Sequence, residues 1–176
     1  VEWLGNNGSI SNISVNNTDS ALIYSGSDLS VIDSNFTRAR MYSLYLEGSN
    51  HVVYGCKFVD NFGPSIIGYE VLDLNIDDSV FNNTKGTASN IVELCGCINS
   101  NISDCIFNNQ NNQSITILQG STVYLANNNL SGSDYIFNYG TILSKTFARL
   151  DDVNLNHMVG DVILLNATIY DDNNNC

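Results

Sequence analysis

Two carboxylates held a few ångströms apart can hydrolyse a glycosidic bond, one as acid and the other as base or nucleophile. In this chain of 176 residues the candidates for such a pair are Asp78 and Asp104, with Asp77 and Asp33 near them in the pattern described below. Carboxylate oxygens are also what Ca²⁺ selects, so Asp78 and Asp104 are at the same time the candidate metal ligands. Eliminative cleavage of an acidic polysaccharide asks for a base and for positive charge. The residues available for that are Arg38, Arg40 and Lys57. If the chain is an enzyme, Asp77, Asp78, Asp104, Arg38 and Lys57 are its candidate catalytic residues. The preferred reading assigns no catalytic residue, no metal and no cofactor.

Other reactive types are scattered. His51 and His157 stand too far apart in the chain to share a site. The five cysteines show no CxxC or CxxCH spacing, and Cys56 and Cys105 read as small buried thiols. Cys95 and Cys97 flank Gly96, close enough to bond or share a metal, but the further His and Cys ligands of a zinc site are missing. Asn7, Asn12, Asn16, Asn35, Asn82, Asn101, Asn112, Asn129 and Asn166 each open an Asn-X-Ser/Thr sequon, so they are candidate glycosylation sites. Among the tyrosines, Tyr42, Tyr45, Tyr54 and Tyr69 are candidate stacking platforms for sugars, and Tyr54 is expected to face outward.

Any chemistry requires elements that bring such residues together, and this chain supplies them by repetition. The stretch Asn101-Ile-Ser-Asp-Cys-Ile-Phe-Asn-Asn109 is the clearest copy of one unit. With Phe107 as origin, the unit recurs at Val15, Phe36, Phe58, Phe81, Phe107, Leu130 and Leu155, at intervals of 21, 22, 23, 26, 23 and 25 residues. Such a period indicates stacked repeats. Five residues before each origin stands an aliphatic side chain: Ile10, Val31, Val53, Ile76, Ile102, Leu125 and Leu150. Three before stands Asn12, Asp33, Gly55, Asp78, Asp104, Asn127 or Asp152, the residue group that tolerates left-handed backbone.

That second column tempers the catalytic reading. Asn and Gly serve at the positions of Asp78 and Asp104 in other copies, so the demand there is for a bend rather than an acid. The spacing predicts two short strands joined at this bend, then a turn and a third strand, each coil stacking on the next at about 4.8 Å in parallel sheets. Phe36, Phe58, Phe81 and Phe107 should form an internal column, and Lys57, one before its origin, should point outward. The longest interval, with Thr84–Asn90 and Cys95–Cys97, predicts a loop bulging from the fourth coil.

Composition bounds the partners. Asn numbers 28, Lys and Arg together 6, and the net charge is −12. This balance disfavours nucleic acid and anionic lipid, which need clustered cations. No apolar run approaches the ~20 residues of a membrane helix, so no membrane insertion is expected within this chain. Val1-Glu-Trp-Leu4 reads as an end strand, with Trp3 covering the end of a core.

The units Val31-Ile-Asp-Ser-Asn-Phe36, Ile76-Asp-Asp-Ser-Val-Phe-Asn-Asn83 and Ile102–Asn109 resemble the right-handed parallel β-helix repeats of the pectin-lyase-like superfold. In their Asn-rich, Lys-poor style they look most like adhesin-like surface proteins of methanogenic archaea. Leu165–Asn174 is similar to the opening strand of the immunoglobulin-like repeats that follow such β-helices. The resemblance implies an all-β, right-handed parallel β-helix (solenoid) of about seven coils over residues 1–165, with 166–176 a last coil or the start of an immunoglobulin-like module. It also implies an extracellular or cell-surface location and a non-enzymatic, adhesin-like role toward a glycan or protein on another cell surface. The Gly-His-Gly and Arg-Ile-Lys sequences of polygalacturonase-type sites are absent. Two alternatives stand beside this reading: self-association into a fibre of subunits stacked end to end, and a polysaccharide lyase or glycoside hydrolase.

Overall fold

A computed structural model describes residues 2–83, 90–109, 113–132 and 136–146. The first coil comprises β1 (Glu2–Asn6), β2 (Ser9–Ser11) and β3 (Ser14–Asn16), and the second β4 (Ser20–Ser27), β5 (Ser30–Ile32) and β6 (Asn35–Thr37). In the third and fourth coils the first two strands fuse around a corner, giving β7 (Tyr42–Tyr54) with β8 (Lys57–Val59), and β9 (Ile66–Asp77) with β10 (Val80–Asn83). The fifth has β11 (Asn90–Cys95), β12 (Ser100–Ser103) and β13 (Ile106–Asn109). The sixth has β14 (Gln113–Ile117), β15 (Thr122–Ala126) and β16 (Asn129–Gly132), followed by β17 (Ile136–Asn138) and β18 (Thr141–Thr146).

Like pairs with like, and every pairing between these strands is parallel. The third strands form a six-stranded sheet in the order β16-β13-β10-β8-β6-β3. The first and second strands of the coils form two further faces, which β7 and β9 join into one hydrogen-bonded sheet. The molecule is therefore an all-β parallel solenoid of about six coils among the described residues. The origin of a seventh, Leu155, and residues 166–176 lie outside them.

The repeat register holds residue by residue. Val15, Phe36, Phe58, Phe81, Phe107 and Leu130 face one another in successive pairings. Phe36, Phe58, Phe81 and Phe107 are at most 2% exposed, and their rings stack at 5.2, 4.9 and 4.7 Å with interplanar angles of 12°, 6° and 6°. Ring spacing thus follows strand spacing, which in-register parallel stacking imposes. Val31, Val53, Ile76 and Ile102, five before their origins, are fully buried. The six described residues three before the origin all adopt left-handed backbone: Asn12, Asp33, Gly55, Asp78, Asp104 and Asn127, with φ from 47° to 62°.

At each corner the backbone turns away from the sheet ladder, and buried N–H groups need other acceptors. Internal side chains provide them from the coil above. Ser79 Oγ accepts from Cys56 N (3.1 Å), Asn128 Oδ1 from Cys105 N (3.0 Å), Ser121 Oγ from Cys97 N (3.1 Å) and Asn61 Oδ1 from Ala39 N (2.9 Å). His51, with its side chain wholly buried, does the same: Nδ1 accepts from Leu29 N at 3.3 Å while Nε2 bonds to Glu47 O at 2.9 Å. Its ring also meets Tyr24 edge-on at 5.3 Å.

That arrangement requires a neutral imidazole, since a proton on Nδ1 would face the Leu29 N–H. Burial lowers the His51 pKa from its ordinary 6.5, against the opposing pull of the Glu47 carbonyl and Asp28. The fold therefore binds this proton less readily than the unfolded chain does. Stability from His51 is complete above about pH 6.5 and is lost as pH falls below it. Denaturant titrations at neutral and mildly acidic pH should show a loss in the natural protein that His51→Gln lacks; parallel losses in both would remove His51 as the source.

Trp3 packs edge-on against Tyr24 at 6.0 Å but stays 38% exposed, so it covers the core end only in part. The residue two before the origin is buried in four middle coils, as Ser34, Cys56, Ser79 and Cys105, whereas Ile13 in the first coil is exposed.

Candidate functional site

The carboxylates proposed for catalysis sit where the bends are. Asp78 and Asp104 follow the second strands of adjacent coils, and each donates its backbone N–H to the next coil, Asp78 to Ser103 O and Asp104 to Ala126 O. Both are exposed. Asp77 is the last residue of β9 and opposes Ser103, whose hydroxyl donates to its Oδ1 at 2.8 Å. Next to it, Asn101 Nδ2 donates to Asn75 Oδ1 at 2.7 Å and lies 2.9 Å from Ser103 Oγ. On the third coil Gly55 takes the bend position, and a Cβ there would lie 2.5 Å from Asp33 Oδ1. Tyr54 opposes Asp77 in register, is 41% exposed, and has its phenol pKa raised first by the charge of Asp78. The structure thus gathers Asp33, Asp77, Asp78 and Tyr54 on one corner as a polar ladder. Among the described residues, no group of three or more His, Cys, Asp or Glu side chains is arranged to hold a metal.

The basic candidates are not brought together. Lys57 opens β8 and opposes Asn35 and Val80, exposed as expected. Arg38 lies past the end of β6 in left-handed backbone (φ 57°), bonding through its N–H to Val59 O, in the same turn position as Asp60 one coil on. Arg40 reaches Asp19 at 3.5 Å, both side chains being well exposed.

Cys56, Cys97 and Cys105 are buried and Cys95 is half-buried; all four are free thiols. Burial pushes the Cys97 thiol up to about 11 and that of Cys105 to about 12, and raises Cys56 in the same direction. Thiolate is the reactive form. Native protein treated with iodoacetamide should therefore be alkylated at Cys95 well before these three, as peptide mapping would read; early labelling of Cys105 would contradict its burial.

Of the sequons, Asn7, Asn12, Asn16 and Asn129 are exposed, whereas Asn35, Asn82 and Asn101 are half-buried. Asn112 and Asn166 lie outside the described residues, as do His157, Cys176 and the loop at 84–89.

The cluster that sequence reasoning left unassembled lies on the outward side of the first face. Leu44 and Leu46 of β7 point inward and are fully buried, which turns Tyr45 and Glu47 out. Tyr45 donates its hydroxyl to Glu47 Oε1 at 3.0 Å, and burial together with this bond pushes its pKa up to about 12. Tyr42 packs beside it at 5.5 Å. In the next coil Tyr69 opposes Glu47, stands 40% exposed, and is raised in pKa first by the charge of Glu70 and then by a hydrogen bond to it. Glu70 occurs at a bulge, with φ 51°, where the β7–β9 register shifts between Glu47 and Ser49. The inward parity of Leu44 and Leu46 signals only that Tyr45 and Glu47 face outward, not that Tyr69 and Glu70 join them.

A family profile described as right handed beta helix region matches residues 2–147. No curated protein and no solved structure matches the chain.

Proposed function

Because the chain belongs to the right-handed β-helix family, we propose that it is a non-enzymatic, adhesin-like module displayed outside the cell, presenting a polar face to a glycan or protein partner. The observation that carries this reading is the first face, where Tyr45, Tyr69 and Glu47 stand outward on adjacent parallel strands. Exposed aromatic rings beside fixed hydrogen-bonding groups suit a ligand that lies along a surface. Asp78 and Asp104, the pair considered for hydrolysis, by contrast occupy bends whose left-handed backbone explains their residue type. The Asn-rich surface style of adhesin-like proteins supports the same role.

The test is a panel of neutral, amino and acidic glycans, scored both for binding and for product. Retention of a glycan without new reducing ends or unsaturated products is expected. Turnover of any polysaccharide would replace this reading with a lyase or hydrolase, and antibody labelling of intact cells checks the location.

A further inference from the structure

We propose that Asn7 and Asn12 carry N-linked glycans, whereas the described sequons that lie within strands stay unmodified. This rests on the display outside the cell proposed above, because N-glycosylation acts on exported chains.

Position in the coil separates the sequons. Asn7 and Asn12 both hold left-handed backbone, at φ 60° and 54°, and each donates its N–H to the next coil, Asn7 to Ser27 O and Asn12 to Ile32 O. Each side chain is thus left at a corner. Its exposure is a property of the bend: Asp28, Asn50, Asp73 and Asn99 repeat the place of Asn7 on the following coils, with φ from 55° to 61°, and all are exposed. Asp33, Asp78 and Asp104 repeat that of Asn12 with the same result. Among the described residues neither the Asn7 nor the Asn12 carboxamide has a hydrogen-bond partner. The sequon hydroxyls are placed to match. Ser9 and Ser14 each precede a residue packed against the core, Ile10 and Val15, so strand alternation turns both outward.

The strand sequons are committed to the fold. Asn101 Nδ2 donates to Asn75 Oδ1 at 2.7 Å and to Ser103 Oγ at 2.9 Å, and the Ser103 hydroxyl, which completes that sequon, donates to Asp77. A sugar on Nδ2 replaces one of those protons and breaks the ladder. Asn82 Oδ1 accepts from Asn108, and Thr37 of the Asn35 sequon donates back to Asn35 Oδ1, at 3.5 Å in each case. Neighbours in register about 4.8 Å away crowd a pyranose ring at such positions. Asn16 and Asn129 stand in the outward columns of Asn82 and Asn35, and they are exposed because theirs are the outermost described coils. The Thr18 hydroxyl of the Asn16 sequon is also taken, donating to Ser20 O at 2.9 Å.

The transfer forms a bond from Nδ2 to the anomeric carbon of a lipid-linked oligosaccharide. It breaks that carbon's bond to phosphate, releases the lipid phosphate and gives the displaced Nδ2 proton to solvent. Because β2 (Ser9–Ser11) lies between the two bends, the sugars would bracket the second face of the first coil.

Glycopeptide mass spectrometry with electron-transfer fragmentation, applied to the chain recovered from the cells that make it, tests this. Sugar on Asn7 and Asn12 and on no strand sequon is expected. Ser9→Ala and Ser14→Ala, which keep both bend residues, should each remove one glycan and leave thermal melting unchanged, while Thr37→Ala should remove none. If a serine variant melts early, Ser9→Thr and Ser14→Thr, which preserve the sequons, should retain the sugar. Sugar on Asn35, Asn82 or Asn101 overturns the inference. So does a bare Asn7 or Asn12 on a chain that antibodies reach on intact cells, and the surface reading then survives. A bare chain found only inside the cell overturns both.

Discussion

Alanine in place of Gly48 is expected to destabilise the protein by more than about 4 kcal/mol, the range reached only when backbone or core must move. Gly5, Gly26 and Gly48 face one another on three successive coils. A Cβ on Gly48 would fall inside the carbonyl oxygen of Gly26, and a Cβ on Gly26 inside that of Gly5. Gly48 also holds φ 109°, which L side chains rarely adopt. Relief would require the third coil to lift from the second, next to where Tyr24 donates to Gly5 O and Ser27 O and His51 bonds Glu47 O. Gly120 is the control. It shares a positive φ of 85°, yet its Cβ would meet Gly96 Cα at an ordinary 3.6 Å, so Gly120→Ala should cost only the strain, about 1–3 kcal/mol. Denaturant midpoints of the two variants decide the matter; similar losses would mean that the glycine column is not a contact between coils.

Truncating Phe81 to Ala should cost about 3–5 kcal/mol. The side chain is fully buried, with rings 4.9 Å below and 4.7 Å above it in near-parallel stacks. Each stacking contact is worth about 0.5–1.5 kcal/mol beyond burial. The cavity has little chance to close, because ladder pairing of Val80 with Lys57 and with Ile106 sets the distance between coils. Phe36, which stacks in the column only on Phe58 at the wider spacing of 5.2 Å, should tolerate alanine better. Urea titration reads both, and a loss below about 1 kcal/mol for Phe81→Ala would contradict its place in the column.

Much of this architecture was legible before any coordinates because stacking makes sequence offsets into spatial columns. A residue's distance from its origin decided whether it was core, as at Ile102 and Phe107, or bend, as at Asp104. The first strand of each coil escaped that logic. Its distance from the origin varies, and the extra residues around Glu70 in β9 break the count, so the Tyr45, Glu47 and Tyr69 neighbours could not be aligned by offset. The corner acceptors escaped for another reason. His51, Asn61 and Ser121 each meet a backbone N–H with a different side chain, and a shared need met by unlike residues leaves no repeated letter.

For this protein the sequence alone determined the parallel solenoid, its bend residues, the phenylalanine column and the burial of Cys56 and Cys105. Those follow from two short-range rules, the alternation of side chains along a strand and the preference of Asn, Asp and Gly for left-handed backbone. Only the tertiary structure decided that Arg38 and Lys57 stand apart, that His51 belongs to the core, and that two tyrosines and two glutamates share the outward side of the first face. Those relations depend on how corners and bulges set one coil against the next, a geometry that arises from backbone packing between coils.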